Sequence, residues 1–398
     1  MKTYNYLILL LLLVDPLQAQ DKKLSDQIFA QLTVSGKTQG LGYPASVKRF
    51  YGANNFQPVW VKPQSGMGTT WQAMLMLDCV LQFGLAHADY HPYELSVDSL
   101  HTMLEKPSKL SWYDKARFEI VLTDAMITFM NHLHYGKFNP RYLPERIDQG
   151  RNITFLAVEK LKEALLEKDF MQTIIDVQPK NTAFRELQEY MHLAKGQYTD
   201  DCYEFPEADI RLAAINMERL RWLDVDQVPF LHINIPSFEL KLVEPDSTYV
   251  FKVIVGKLKQ STPSGQSAIG YFTTGLDWKV PQNIGSFLVY LHNSPNHQLF
   301  DKKASVPGHG YIRVQKASTL AALLMRYDRL ANRTVRGQKE VSNYRKNNVV
   351  LRKPIPITVT YLTCTVKDGQ LERYQDIYEL DQLLVNKLYN IQQTLTLN

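Results

Sequence analysis

The sequence predicts an α+β fold, with a helical N-terminal region followed by a mostly β C-terminal one. Two patterns carry this expectation. Apolar residues recur at three- and four-residue spacing from roughly residue 25 to 200, and they alternate with polar ones after about residue 228. A chain of 398 residues is long enough for two or three compact domains, and the single change of period favours two.

Lys2 is followed by the apolar run Leu7–Val14 and then by Asp15-Pro16-Leu17-Gln18-Ala19-Gln20. A charged start, a short apolar core and a small residue at a cleavage point predict a secretory signal peptide over residues 1–19. Its eight apolar residues are too few to cross a bilayer, which takes about 20 in a helix. No later segment approaches that length, so no transmembrane span is expected in the mature chain. Cleavage removes one cation, Lys2, and one anion, Asp15, and leaves the formal charge at +5. Without a basic run or a glycine-arginine tract, that mild balance argues against nucleic-acid binding.

The clearest helix is expected over 112–135, where Phe118, Val121, Leu122, Ala125, Met126, Phe129 and Leu133 form one stripe. Ser111 and Asp114 can form a capping box at its start, and Gly136 can end it. A second helix is expected from about 154 to 168. A third, Asn216–Leu223, leads into the first strand.

Phe238, Leu240 and Leu242 alternate with Glu239 and Lys241, Glu244–Ser247 turns the chain, and Tyr249–Val255 returns as a hairpin. Ile357, Val359 and Tyr361 alternate with Thr358 and Thr360, and Asp368-Gly369 supplies a later turn. Helices are expected at 318–327 and after Asp381. Cys79, Cys202 and Cys364 have no CxxC spacing; one disulfide is possible, but the sequence does not say which pair forms it. Cys79 and Cys364 lie in apolar surroundings and read as buried side chains.

Residues 308–313 read Gly308-His309-Gly310-Tyr311-Ile312-Arg313, and Tyr290-Leu291-His292-Asn293-Ser294-Pro295 lies upstream. His292 and His309 are seventeen positions apart. Together these segments resemble the active-site signature of YkuD-type L,D-transpeptidases, a His, a spacer, then Ser/Thr-His-Gly-Cys-x-Arg. The resemblance extends along the chain to the larger, YcbB-like class, which carries an N-terminal scaffold domain. Phe50-Tyr51-Gly52-Ala53 with Gln57-Pro58-Val59-Trp60, Gly84-Leu85 with His91-Pro92, and Leu122–Ala125 with His132–Lys137 are similar to its scaffold motifs. Asn216–Leu223, Asn234-Ile235-Pro236, Val253–Lys257 with Thr262-Pro263, Trp278–Pro281, Pro354–Ile357 and Asp376–Tyr378 are similar to those of its catalytic domain.

The resemblance implies a helical scaffold domain at 25–205, a connecting helix at 206–228 and a mostly β catalytic-type domain at 229–398. It implies a peptidoglycan context and a periplasmic or cell-envelope location. Relatives join tetrapeptide stems between meso-diaminopimelate residues through an acyl-cysteine intermediate. The catalytic positions implied here are His309, Tyr311 at the cysteine position, and His292. Arg313, Gly310 and Gly308 are the implied substrate-binding positions.

Three departures from the pattern bear on activity. Tyr311 replaces cysteine and Gly308 replaces Ser/Thr. Val280–Ile284 also runs almost directly into Gly285–His292, where the class has several dozen more residues, so a substrate-covering wall near 281–290 is expected to be shortened. The small peptidoglycan-binding module that some relatives insert is absent as well. A cysteine thiol titrates near about 8.5 and a neighbouring imidazole can lower it, whereas a phenol titrates near about 10. The tyrosine ring also carries its oxygen further from the backbone. Cysteine-based transpeptidation is therefore not expected, and binding of a peptidoglycan stem peptide or a cell-wall protein is.

Alternatives stay open at this point. His309 and water or Tyr311 are one route to residual acyl transfer or hydrolysis, and an interaction protein with a vacant site is another reading. Each residue also has a structural reading: His309 as a hydrogen-bonding turn residue, His292 as a strand-end histidine, Arg313 as half of an internal ion pair. His292, His297 and His309 have no usual zinc-ligand spacing and no HExxH occurs, so neither a metal nor another cofactor is expected.

Overall fold

A computed structural model of the chain describes residues 16–34, 38–61, 67–105, 109–195, 206–223, 230–274, 291–293, 300, 312–327 and 347–390. Most of the expected signal peptide lies outside these residues. The chain divides into two units, residues 1–81 with 86–178, and residues 82–85 with 179–398.

The first unit is helical. It contains α1 (Pro16–Thr33), α2 (Pro44–Gly52), α3 (Met67–Asp78), α4 (Val97–Glu105), α5 (Trp112–Tyr135), α6 (Pro144–Gln149), α7 (Ala157–Ala164) and α8 (Phe170–Ile175). The helix expected at 112–135 forms at those bounds because both ends are specified. Ser111 Oγ accepts the Asp114 N–H at 3.1 Å, the Asp114 carboxylate takes the Ser111 N–H at 3.3 Å, and Gly136 stops the helix at φ 81°. The helix expected at about 154–168 is shorter, spanning only α7, and the chain then turns into α8.

Helix α5 is buried on every side along its middle, including its polar residues Glu119, Thr123, Asp124 and Asn131. Two of these fix loops from elsewhere in the unit. Glu119 accepts the N–H groups of Val59, Trp60 and Val61 at 3.0, 2.8 and 2.6 Å and the Tyr51 hydroxyl at 2.7 Å. Burial pushes its carboxyl up, and those donors partly offset the shift. One turn on, Asp124 accepts from Gly42 and Tyr43, each at 2.8 Å, and contacts His91 Nε2 at 2.7 Å.

The second unit begins with α9 (Thr182–Lys195) and α10 (Glu207–Arg221), and α10, which includes Asn216, lies within the stretch 206–228 expected as a connecting helix. It continues with β1 (Phe230–Asn234), β2 (Glu239–Val243), β3 (Thr248–Ile254), β4 (Gly265–Thr274), β5 (Leu291–Asn293) and β6 (Ile312–Val314). Helix α11 (Ala317–Tyr327), β7 (Asn347–Thr360), β8 (Cys364–Lys367), β9 (Gln370–Arg373) and α12 (Asp381–Leu388) complete it. Seven strands form one sheet in the order β4-β7-β1-β2-β3-β6-β5, and β8 pairs with β9 separately. The expected hairpin is β2–β3, antiparallel with Leu240 opposite Phe251. Asp368 and Gly369 both adopt positive φ, 51° and 76°, in the β8–β9 turn.

One sheet face builds the core. Leu231, Ile233, Leu240, Leu242, Phe251 and Val253 cluster there with Ile312, Val314, Ile357 and Val359, and Leu320 and Leu324 of α11 join them. His232 points to the other face, level with Lys241 and Thr358, and meets Thr360 Oγ1 at 2.9 Å. Burial pushes its imidazole down to about 4, with Lys241 adding to the shift.

Cysteine burial needs one correction. Cys364 is buried as expected, but Cys79 is only partly buried, because it falls just beyond the last turn of α3 where the helix face that packs inward ends. Burial pushes both thiols up. Neither forms a disulfide, and Cys202 lies outside the described residues.

Candidate functional site

Gly308, His309, Gly310 and Tyr311 lie outside the described residues, as do His297 and the expected shortened wall at 281–290. His292 and Arg313 are within them, on two short parallel strands at one side of the sheet. In that pairing Leu291 meets Ile312, His292 meets Arg313, and Asn293 meets Val314. Residues twenty-one positions apart in the chain are thus neighbours in the sheet. On its other side β6 runs antiparallel to β3, with Val253 opposite Val314 and Ile254 opposite Arg313.

The local sequence explains how β6 presents Arg313. Ile312 and Val314 are buried in the core and Arg313 between them is half-buried, because successive side chains on a strand point to opposite faces. The guanidinium therefore belongs to the face opposite the apolar core, immediately downstream of Tyr311 in sequence. Its planar fork suits a carboxylate.

Beyond Ile254 the chain continues through Val255 and Gly256 into a short return ending at Thr262. Sequence reading picked out Gly256, Thr262 and Tyr378 only as points of family likeness and assigned them no role. The structure joins them, with the Tyr378 hydroxyl hydrogen-bonded to the Gly256 carbonyl at 2.8 Å. The contact bridges 122 residues of sequence and leaves no local periodicity to read.

Behind Tyr378 stands a second aromatic. The Tyr361 and Tyr378 rings stack at 5.3 Å, and the Tyr361 hydroxyl accepts the Tyr378 N–H at 2.7 Å. That hydroxyl donates to Asp376, and burial followed by this carboxylate pushes it well above the ordinary phenol range. Arg219 of α10 lies over the Tyr361 ring at 5.1 Å and bonds Asp381 at 2.7 Å. The start of α12 and the end of α10 are thereby tied to the tyrosine pair.

Among the described residues no group of three or more His, Cys, Asp or Glu side chains is placed to hold a metal ion. No described helix is long and apolar enough to cross a membrane.

The architecture is that of an α+β protein with a helical unit ahead of a curled sheet, and residues 45–191, from α2 into α9, match the family model of the Scaffold domain. Over 122 residues the chain is 26% identical to a protein of Haemophilus influenzae (strain ATCC 51907 / DSM 11121 / KW20 / Rd) that bears the name of an L,D-transpeptidase. That stretch covers 30% of this chain and only 22% of the relative's length. Together the two findings make the chain similar, over parts of its length, to a protein named as an L,D-transpeptidase and to proteins that carry a Scaffold domain.

Proposed function

We propose that this protein is exported to the cell envelope and binds a peptidoglycan stem peptide or a cell-wall protein, without cysteine-based acyl transfer. The observation that carries the reading is Tyr311 at the nucleophile position of an otherwise recognisable motif. Acyl transfer to a thiol needs an accessible thiolate beside an imidazole. A phenol titrating near about 10 supplies little anion at neutral pH and places its oxygen elsewhere. Binding has less demanding requirements. A half-buried Arg313 in register with His292 is suited to orient a peptide carboxylate.

Incubation of the mature protein with purified tetrapeptide muropeptides tests this. Saturable binding with no change in the muropeptides is the expected result. Cross-linked or trimmed products that disappear in His309→Ala would overturn the proposal. Tyr311→Cys alone is expected to leave cross-linking undetectable, because Gly308 and the shortened wall remain.

A further inference from the structure

The return that follows β3 has a built geometry that the function above does not use. The Gly256 N–H donates to Thr262 Oγ1 at 2.9 Å, and the Thr262 N–H donates to the Tyr378 hydroxyl at 3.0 Å. That hydroxyl donates in turn to the Gly256 carbonyl at 2.8 Å. One phenol thus closes both ends of the return. The backbone approaches itself so closely that a methyl group on Gly256 would lie 2.0 Å from the Gln260 carbonyl oxygen, which only glycine avoids.

The anchor is buried and the tip is not. Gly256 and Thr262 are buried, whereas Lys257, Leu258, Lys259, Gln260 and Ser261 are all exposed. A fixed base under an exposed tip is the arrangement of a preorganised binding loop, since the ordering entropy is spent before a ligand arrives. The tip also lies near the candidate site. Ile254 is opposite Arg313, and Lys257 follows three residues later, within about 11 Å of Ile254 along the chain. Among the described residues, no carboxylate forms an ion pair with Lys257, Lys259 or Arg313. Lys257 and Lys259 at the exposed tip, and Arg313 opposite Ile254, are the three cations that this part of the sheet offers an anionic ligand.

We propose that residues 257–261 form a rigid basic lip in which Lys257 and Lys259 receive carboxylates of the bound wall peptide, with Tyr378 as its positioning residue. The proposal rests on the wall-peptide reading above. Lysine ammonium groups are point charges and tolerate varied carboxylate geometry, whereas Arg313 offers a planar fork. The pair would set charge preference while Arg313 sets orientation.

Titration calorimetry of the full mature chain tests the lip with two probes: a tetrapeptide muropeptide and the same compound with its carboxylates amidated. The parent should prefer the carboxylate form by well over about tenfold, through Arg313 and the lip together, and that preference should shrink as salt rises. Lys257→Ala with Lys259→Ala should reduce both the preference and its salt dependence several-fold at unchanged melting temperature, leaving the part that Arg313 supplies. Thr262→Val and Tyr378→Phe should each weaken carboxylate binding several-fold well below their own melting temperatures. Thr262→Ser, which keeps the accepting hydroxyl, should restore it. A purely structural role would lower the melting temperature and leave the preference intact. A double lysine variant that keeps the parent's preference overturns the lip alone. A parent that binds neither probe overturns the wall-peptide reading and the lip with it.

Discussion

Arg313 is the described cation closest in sequence to Tyr311, and its neighbours Ile312 and Val314 fix the face it occupies. If it orients a peptide carboxylate through two parallel hydrogen bonds, Arg313→Ala should weaken muropeptide binding by about tenfold or more. Arg313→Lys should recover only part of that loss, because an ammonium cannot make the fork. Equilibrium titration of both variants checks this, and equal binding by all three proteins would show that Arg313 serves the sheet instead. A second single-residue effect concerns pH. The imidazole of His232 is held near about 4 in the fold, against about 6.5 when unfolded. The unfolded chain therefore binds the extra proton first, so stability is fully present above about pH 6.5 and declines as pH falls toward 4. The loss should be on the order of 2 kcal/mol by pH 5, and urea titrations across pH 5–7.5 should show it shrink in His232→Gln.

Among the elements, α5 carries most of the first unit's order. Its carboxylate Glu119 satisfies three consecutive backbone N–H groups that Glu119→Ala would leave unpaired, that of Trp60 buried and those of Val59 and Val61 partly so. That substitution should lower stability by about 3 kcal/mol in urea unfolding, whereas Ser111→Ala at the exposed cap should lower it by about 1. The contrast illustrates what can be read from sequence. Ser111, Asp114 and Gly136 act within one helical turn of their partners, so the bounds of α5 were legible in residue spacing. Glu119 acts on residues 58 to 60 positions away and looked like one more polar residue on a helix. The second unit divides in the same way. The β2–β3 hairpin was a local signal, while the pairing of His292 with Arg313 and the Gly256–Tyr378 contact depend on sheet assembly.

At the scale of the whole molecule, the change of hydrophobic period near residue 200 predicted a helical region and then a sheet, and the described residues follow that order. Helices α9 and α10 group with the sheet in the second unit, while the likeness to the Scaffold domain runs to residue 191, into α9. A helical pattern shows that a face is apolar but not which partner covers it. Export is the whole-chain property still open to direct test. Residues 1–30 fused to a reporter that is active only outside the cytoplasm should give activity, and replacing two leucines of Leu7–Val14 with arginine should abolish it.

Strands β4 and β7 are hydrogen-bonded from Gly265 opposite Val359 to Thr274 opposite Asn347. Residues 275–346, the entire stretch bearing the motif, therefore depart from and return to a base already closed by its own ladder. Changing the length of a segment between fixed ends alters its closure entropy only logarithmically, by about 0.6 kcal/mol per doubling. Segments of that excursion between its paired strands can change length without disturbing the pairing at its base. The ladder thus separates what must stay fixed from what can vary: β5, β6 and α11 are held by the sheet and its core, while the chain between them is free to change in length.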